Sequence, residues 1–372
     1  MILLVAGTRP NFMKIAPIYR ALAGRKLDAR VLHTGQHASA AMSDVFFHDL
    51  GLPTPYATLE GGGGSHAEQT ASILVGVEKV LLKERPEVVV VVGDVTSTLS
   101  AALAASKLGI PVIHVESGLR SRDWTMPEEI NRIVTDQLSD LMLTPSADAA
   151  PNLRAEGVPE ERIVFVGNVM IDSLLFALRK PTDALARLGL EPRSYALATL
   201  HRPANVDSAE ALTATLDALT ALAAHLPVLF PVHPRTMARA ESLGLRTRLH
   251  ETKNLRPIEP LGYDDFITVM SSAKLVATDS GGIQEETTAL GVPCLTLRGG
   301  TERPVTVTEG TNEVVGLSVA KIDAATRAIM SGEGKKGRVP EGWDGKAAER
   351  VADAIERFLA GTPKPKTAGP RA

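Results

Sequence analysis

Apolar residues occur in two spacings along this chain, and the two alternate. Short, mainly apolar runs at Ile2–Ala6, Ala29–His33, Val88–Val92, Val112–Val115, Leu141–Thr144 and Ile163–Val166 read as strands. Between them, apolar positions recur at helical spacing over Pro10–Leu22, Ala40–Leu50, Ala67–Leu82, Ser97–Leu108, Pro127–Leu138 and Ala147–Glu156. Strands alternating with helices make βαβ units, right-handed crossovers and a parallel sheet. A second series begins after Pro192, with strands Tyr195–Leu200, Val228–Val232, Leu275–Thr278 and Cys294–Leu297 and helices Ser208–Ala224, Tyr263–Ser272 and Gly281–Leu290. Pro181 and Pro192 punctuate the stretch between the two series. The pattern predicts an α/β protein with a first domain over 1–170, a second over 171–345, a helix over 346–360 and a frayed tail over 361–372.

Composition narrows the class. A chain of 372 residues is too long for one ordinary core, and 44% hydrophobic with 22% charged residues is a globular balance. A net charge of −3 argues against a general nucleic-acid binder, which shows a basic face. The one cysteine, Cys294, lies in an apolar strand and reads as a buried thiol, so neither a disulfide framework nor a thiolate metal site is expected. The N-terminal Met1-Ile2-Leu3-Leu4-Val5-Ala6 lacks a basic lead and runs at once into Gly7, as a first strand does. No apolar stretch is long enough to span a bilayer, and a cytosolic location is expected.

Chemistry concentrates in Gly93–Arg132. Strand Val88–Val92 ends in Gly93-Asp94, the next strand ends in Glu116-Ser117-Gly118-Leu119-Arg120, and Met126-Pro127-Glu128-Glu129 with Asn131 and Arg132 follows. Residues just past the carboxyl ends of adjacent parallel strands face one crevice. Asp94, Glu116 and Glu128, with Arg120 and Arg132, are therefore expected to converge as a proton-transfer site for an anionic or polyhydroxyl substrate. The competing reading is solvated loop-end charge with helix-capping acids; the placement of the whole set at strand ends favours the site.

The second series carries a ligand signature. Strand Leu275–Thr278 runs through Asp279 into Ser280-Gly281-Gly282, a turn whose unpaired N–H groups and helix dipole suit a phosphate. Glu286, one helical turn on, suits ribose hydroxyls, while an ordinary Ser280 N-cap is the plainer alternative. Arg9 and Lys14, after Gly7-Thr8, either clamp a diphosphate or decorate a helix start. His201-Arg202, His233 and Arg303 each follow a strand, a position open both to substrate contact and to simple solvation. Gly61–Gly64, before the Ala67 helix, reads as a mobile lid or hinge in preference to a phosphate loop. Neither a G-x-x-x-x-G-K-[ST] loop nor a G-x-G-x-x-G fingerprint after a first strand occurs, which disfavours an ATPase or a nicotinamide enzyme.

Taken in order, Gly7-Thr8-Arg9-Pro10, Thr34-Gly35-Gln36-His37, Gly93-Asp94, His114–Arg120, Met126–Arg132, Asp279–Glu286 and Thr301-Glu302-Arg303-Pro304 resemble the UDP-N-acetylglucosamine 2-epimerases. The resemblance runs from Ile2 to about Gly316 and implies two facing Rossmann-like domains of the GT-B fold, a C-terminal helix that crosses back to the first domain, and a homodimer. It implies a non-hydrolysing epimerisation at C2 through a glycal, with no cofactor and no metal. In that reaction Asp94, Glu116 and Glu128 are the acid–base carboxylates, Arg132 organises them and His201 lies near the diphosphate. It further implies that Arg9, Lys14, His233, Ser280, Gly281, Gly282, Glu286 and Arg303 hold UDP and that Phe266 lies at the uracil. Three departures accompany it: Val95-Thr96 after Asp94, Pro203-Ala204-Asn205 after Arg202, and Ala38-Ser39-Ala40-Ala41 in place of a polar cluster that some bacterial members use for an activating second substrate. A hydrolysing relative, a GT-B glycosyltransferase and a non-catalytic nucleotide-sugar binder are the competing functions. The last of these would be expected to have lost some of the three acids.

Overall fold

The computed structural model of the protein describes residues 1–36, 47, 50–60, 63–180, 182–200 and 202–361. Most of the expected helix Ala40–Leu50, the Gly61-Gly62 start of the glycine loop, His37, His201 and the tail after Gly361 lie outside the described residues. The chain divides into two compact units, Met1–Ser173 with Asp344–Ala372, and Leu174–Trp343.

The first unit is built on a fully parallel sheet. Its strands are β1 (Ile2–Ala6), β2 (Ala29–His33), β3 (Ala57–Thr58), β4 (Val88–Val92), β5 (Val112–Val115), β6 (Leu141–Thr144) and β7 (Ile163–Phe165), in the spatial order 3-2-1-4-5-6-7. Every residue of Val88–Val92 is fully buried, as a central parallel strand covered by helices on both faces must be. One core, formed by Leu3, Val5, Val89 and Val91 with Ile73, Val77 and Leu81, packs helix His66–Glu84 against the sheet. That helix opens with a reciprocal capping box between Ser65 and Glu68, which fixes where the glycine loop ends.

The second unit repeats the plan. Strands β8 (Ala196–Thr199), β9 (Val228–Pro231), β10 (Leu255–Ile258), β11 (Leu275–Thr278), β12 (Cys294–Thr296) and β13 (Asn312–Val314) lie in the order 10-9-8-11-12-13, again all parallel. Its core joins Phe230, Leu216, Leu219 and Ile322 with the strands. Both sheets reverse winding direction once, at β1/β4 and at β8/β11, and the carboxyl ends of those strand pairs are the ligand-binding position of such folds.

The C-terminal helix Ala347–Gly361 belongs to the first unit, as the GT-B expectation requires. Asp172 accepts the Ala347 and Ala348 N–H groups at 3.2 and 2.7 Å, and Arg25 pairs with Glu349, Asp353 and Glu356 along the helix. A buried carboxylate therefore caps this helix from another part of the chain.

Candidate active site

At the first winding reversal, two polar side chains take up the last carbonyl of β4. Asn11 Nδ2 donates to the Val92 carbonyl at 2.9 Å and Thr98 Oγ1 does so at 2.8 Å. Gly93 follows with φ +66°, and a Cβ placed there would lie 2.9 Å from Lys14 Nζ and 3.8 Å from Glu116 Oε2. The missing side chain leaves room for a buried ion pair between Lys14 and Glu116. Lys14, expected at a diphosphate, thus meets a carboxylate across the β4 end. Arg9 opens helix Arg9–Gly24 and is half-buried.

Glu116 itself has φ +71°, a left-handed backbone that costs a side-chain-bearing residue of order 1–3 kcal/mol unless its surroundings impose it. Here the Leu143 carbonyl accepts both the Glu116 and the Ser117 N–H, at 3.0 and 3.2 Å, and turns the chain sharply at the end of β5. The carboxylate is aimed at Lys14 as a result.

Asp94 pairs with Arg132, which is buried and also donates to Glu129 at 3.0 Å. Asn131 Nδ2 holds the Asp94 carbonyl at 2.9 Å, so two successive residues of helix Pro127–Leu138 fix this acid. Glu129 accepts the Ser121 and Arg122 N–H groups at 2.9 and 2.7 Å and ties down the loop before the helix. Its neighbour Glu128 is exposed in the first helical turn, with no ion pair or side-chain hydrogen bond among the described residues. Arg120 turns inward instead, to Asp136 and Glu156, and is absent from this group of acids. Sequence reasoning missed Glu129 and Asp136; their signal was an acid on the buried side of an amphipathic helix.

In the second unit the Ser280 side chain makes no cap hydrogen bond to its own helix, Gly281–Leu290, so the plainer reading of this serine loses its support. The turn is backed by buried charge. Glu302 lies 3.1 Å from Arg202 and 2.9 Å from Arg298, and Arg303 Nε lies 2.9 Å from Glu285 Oε1. Burial pushes the Glu302 carboxyl up, but Arg303, Arg298 and Arg202 outweigh it and hold it at about 2. Gly281 and Gly282 differ: a Cβ at Gly281 would meet Glu302 Oε1 at 2.9 Å, whereas Gly282 faces open space. His233 is exposed and caps helix Pro234–Ser242, its Nδ1 accepting the Arg235 N–H at 3.2 Å. Phe266 is half-buried in the first turn of helix Tyr263–Ser272. A cavity of about 500 Å³ is lined by Val232, Pro234, Met237, His250 and Ile258 among others, and by neither His233 nor the Ser280–Gly282 turn.

Glu286 is buried beside Glu285, with the Tyr263 hydroxyl 3.4 Å from its Oε1. Burial first, then the Glu285 charge, pushes its carboxyl up to about 8. A carboxyl with a raised folded-state value adds stability below its ordinary value of 4.5, and that stability is lost as pH rises through about 8. Glu286→Gln imitates the protonated acid and does not titrate. The stability of the unmodified protein relative to this variant should therefore fall by on the order of 2 kcal/mol or more across that window, since each tenfold change in proton affinity is worth about 1.4 kcal/mol. Parallel pH–stability curves in denaturant titrations would refute the assignment.

Comparison with known proteins places the chain in a family. Residues 20–356 match the family model described as UDP-N-acetylglucosamine 2-epimerase. The UDP-N-acetylglucosamine 2-epimerase of Methanocaldococcus jannaschii is 42% identical over 355 residues, covering 94% of this chain and 96% of the relative. The UDP-2,3-diacetamido-2,3-dideoxy-D-glucuronate 2-epimerase of Pseudomonas aeruginosa is 40% identical, covering 96% of this chain and 99% of that one. A crystal structure of the Methanocaldococcus jannaschii enzyme in complex with UDP-GlcNAc and UDP superposes with a TM-score of 0.87, covering 96% of this chain and 99% of that chain. The chain belongs to the UDP-N-acetylglucosamine 2-epimerase family.

Proposed function

We propose that the protein interconverts UDP-N-acetylglucosamine and UDP-N-acetylmannosamine without releasing UDP. The observation that carries this reading is the cation-paired acids, Asp94 and Glu116, at the winding reversal of one sheet, in a chain matched along its length to an epimerase solved with UDP-GlcNAc and UDP. The C2 hydrogen has no carbonyl beside it and is not acidic on its own. Breaking the C1–O bond gives C1 cationic character, so a carboxylate removes the C2 proton as UDP departs with the bonding pair. A C1=C2 double bond results. A proton delivered to the opposite face of C2, with UDP returning to C1, completes the inversion, and atoms and charge balance without an external reagent.

In this assignment Asp94, Glu116 and Glu128 move protons, with Arg132 and Lys14 fixing the first two. The Ser280–Gly282 amides and Arg303 hold the diphosphate, with His233 added if its helix-capping nitrogen is released, and Arg9 keeps the UDP-binding role that its motif implies. Glu286 takes the ribose hydroxyls and Phe266 the uracil. The uncapped helix start at Ser280 and the guanidiniums around Glu302 support the diphosphate assignment. His201 lies outside the described residues, and its place near the diphosphate rests on the motif alone. We further propose a homodimer in the cytoplasm. Exposed Val75 and Leu82 on one helix, Ile130 and Val134 on another and Trp124 between Glu116 and Glu128 support a protein partner for the first unit. Among the described residues no helix is long and apolar enough to cross a membrane.

The reaction has a direct signature. In deuterated water with UDP-N-acetylglucosamine, the protein should yield both UDP-sugars with deuterium at C2, followed by NMR. Stoichiometric free UDP and N-acetylmannosamine would instead mark a hydrolase.

Among the acids, Glu128 gives the cleanest test, since an amide at Glu116 would strand Lys14 without its counter-charge and one at Asp94 would leave Arg132 with Glu129 alone. Glu128→Gln should lower turnover roughly 10²–10⁴-fold with UDP affinity nearly unchanged. Turnover within a fewfold of the parent would return Glu128 to helix capping.

For the diphosphate the informative position is Gly282, because an aspartate at Gly281 would strike Glu302 whether or not phosphate binds there. Gly282→Asp should weaken UDP binding by on the order of 2 kcal/mol with the fold intact. Unchanged affinity by calorimetry would move the diphosphate elsewhere.

A further inference from the structure

Asp136 and His114 form a buried pair outside the set of reacting groups assigned above. Asp136 projects from the inner side of helix Pro127–Leu138 and is 1% exposed; His114, in β5, is 0% exposed. Neither can touch a substrate from there. Their hydrogen bonds nevertheless reach the residues that flank both cation-paired acids.

Asp136 Oδ1 lies 2.6 Å from His114 Nδ1, and the other imidazole nitrogen, Nε2, lies 2.8 Å from the Gly93 carbonyl. Both partners are acceptors, so each calls for an N–H on the ring nitrogen facing it. The imidazole is thus a strut from helix Pro127–Leu138 to the peptide immediately before Asp94. Asp136 Oδ2 accepts the Gly118 N–H at 3.1 Å and the Arg120 guanidinium at 2.7 Å. Gly118 stands two residues after Glu116, and His114 two residues before it. The same carboxylate therefore holds the chain on both sides of the left-handed residue Glu116.

That turn has little freedom elsewhere. Gly118 has φ +81°, and a Cβ there would lie 2.6 Å from the Ala149 carbonyl oxygen. A positive φ at a glutamate persists only when its neighbours over-determine it, and the fixed points here are Leu143, Asp136 and the Ala149 backbone.

We propose that Asp136, acting through His114 and Gly118, is the positioning residue that sets the backbone of Glu116 and of Asp94 together. The inference rests on the reading that these two acids move the C2 proton, and it assigns the task of spacing them to a single buried carboxylate. Displacing a reacting group by about an ångström costs on the order of 10²-fold in rate, whereas binding of UDP by the other unit does not draw on this network.

Arg120 keeps its two hydrogen bonds to Glu156, at 2.7 and 2.6 Å, when Asp136 is neutralised, which limits the loss of stability. The test uses the full chain and UDP-N-acetylglucosamine, with kcat, KM, C2 deuterium incorporation, UDP affinity and the thermal midpoint measured for each variant. Asp136→Asn should lower kcat roughly 10²-fold with KM and UDP affinity within about threefold. His114→Gln, which leaves Asp136 bonded to Gly118 and Arg120, should show the same split. The double variant should lose little more than the worse single one, because both remove one strut. Should Asp136→Asn not fold, His114→Gln carries the test to the same limits. Folded variants with kcat within about threefold of the parent would overturn the proposal, as would kcat and UDP affinity falling in parallel with the thermal midpoint. A parent protein that exchanges no deuterium at C2 would overturn the epimerase reading beneath it, an outcome separate from either.

Discussion

A charge taken out of water must be met by an opposite charge or by hydrogen bonds, and the carboxyl ends of β4 and β5 are organised around that requirement. Glu116 faces Lys14, Asp94 faces Arg132, and Asp136 faces Arg120 and His114. Burial would push the Asp136 carboxyl up, but His114 and Arg120 prevail and hold it below the usual carboxylate range. Because each pair joins segments distant in sequence, satisfying the charges also fixes the geometry: helix Arg9–Gly24, β5, helix Pro127–Leu138 and the loop at Arg120 are positioned by the ions they share.

The two winding reversals are alike in topology and opposite in chemistry. Beside the β1/β4 reversal, β4 and β5 end in acids held by cations, the arrangement a proton-transfer site needs. At β8/β11 the strand ends in a glycine turn whose helix keeps its first N–H groups free of a side-chain cap, over a carboxylate that gathers three guanidiniums. Helix dipole and guanidiniums there favour an anion. Glu286 lies in the helix that follows this turn and is held protonated over much of the neutral range, a state that suits the ribose hydroxyls proposed for it.

Much of this was legible in the sequence, for a physical reason. Central parallel strands are buried on both faces, so Val88–Val92 reads as an unbroken apolar run, and Asp94 and Glu116 are then located simply by following such runs to their ends. Three of the four edge strands gave no such signal: β3 has two residues, β10 carries Pro257, and β13 is Asn312–Val314, while the edge strand β7 was legible as Ile163–Val166. The pairings were not legible either. Nothing local marks Lys14 as the partner of Glu116, or Glu302 as the counter-charge to Arg202, because these contacts join residues about a hundred positions apart. Gly281 and Gly282 are likewise indistinguishable as letters, and only the packing of Glu302 separates them.

Whether a reaction of this kind ends in epimerisation or hydrolysis depends less on the acids than on what keeps UDP in place. Both outcomes begin with C1–O cleavage and loss of the C2 proton. They part when C1 is attacked again, by UDP or by water. A partner held in register reacts with an effective concentration on the order of 10⁵–10⁸ M, far above that of water, so a well-held UDP returns before water adds. Retention calls for oriented donors that do not need to reorganise as the leaving group becomes charged. Ser280–Gly282 offers fixed backbone N–H groups, and Arg303 is braced by Glu285 rather than left to swing. In the reaction proposed here, the buried ion pairs of the second unit thus decide the product, although no atom of Glu285 or Glu302 need touch the sugar.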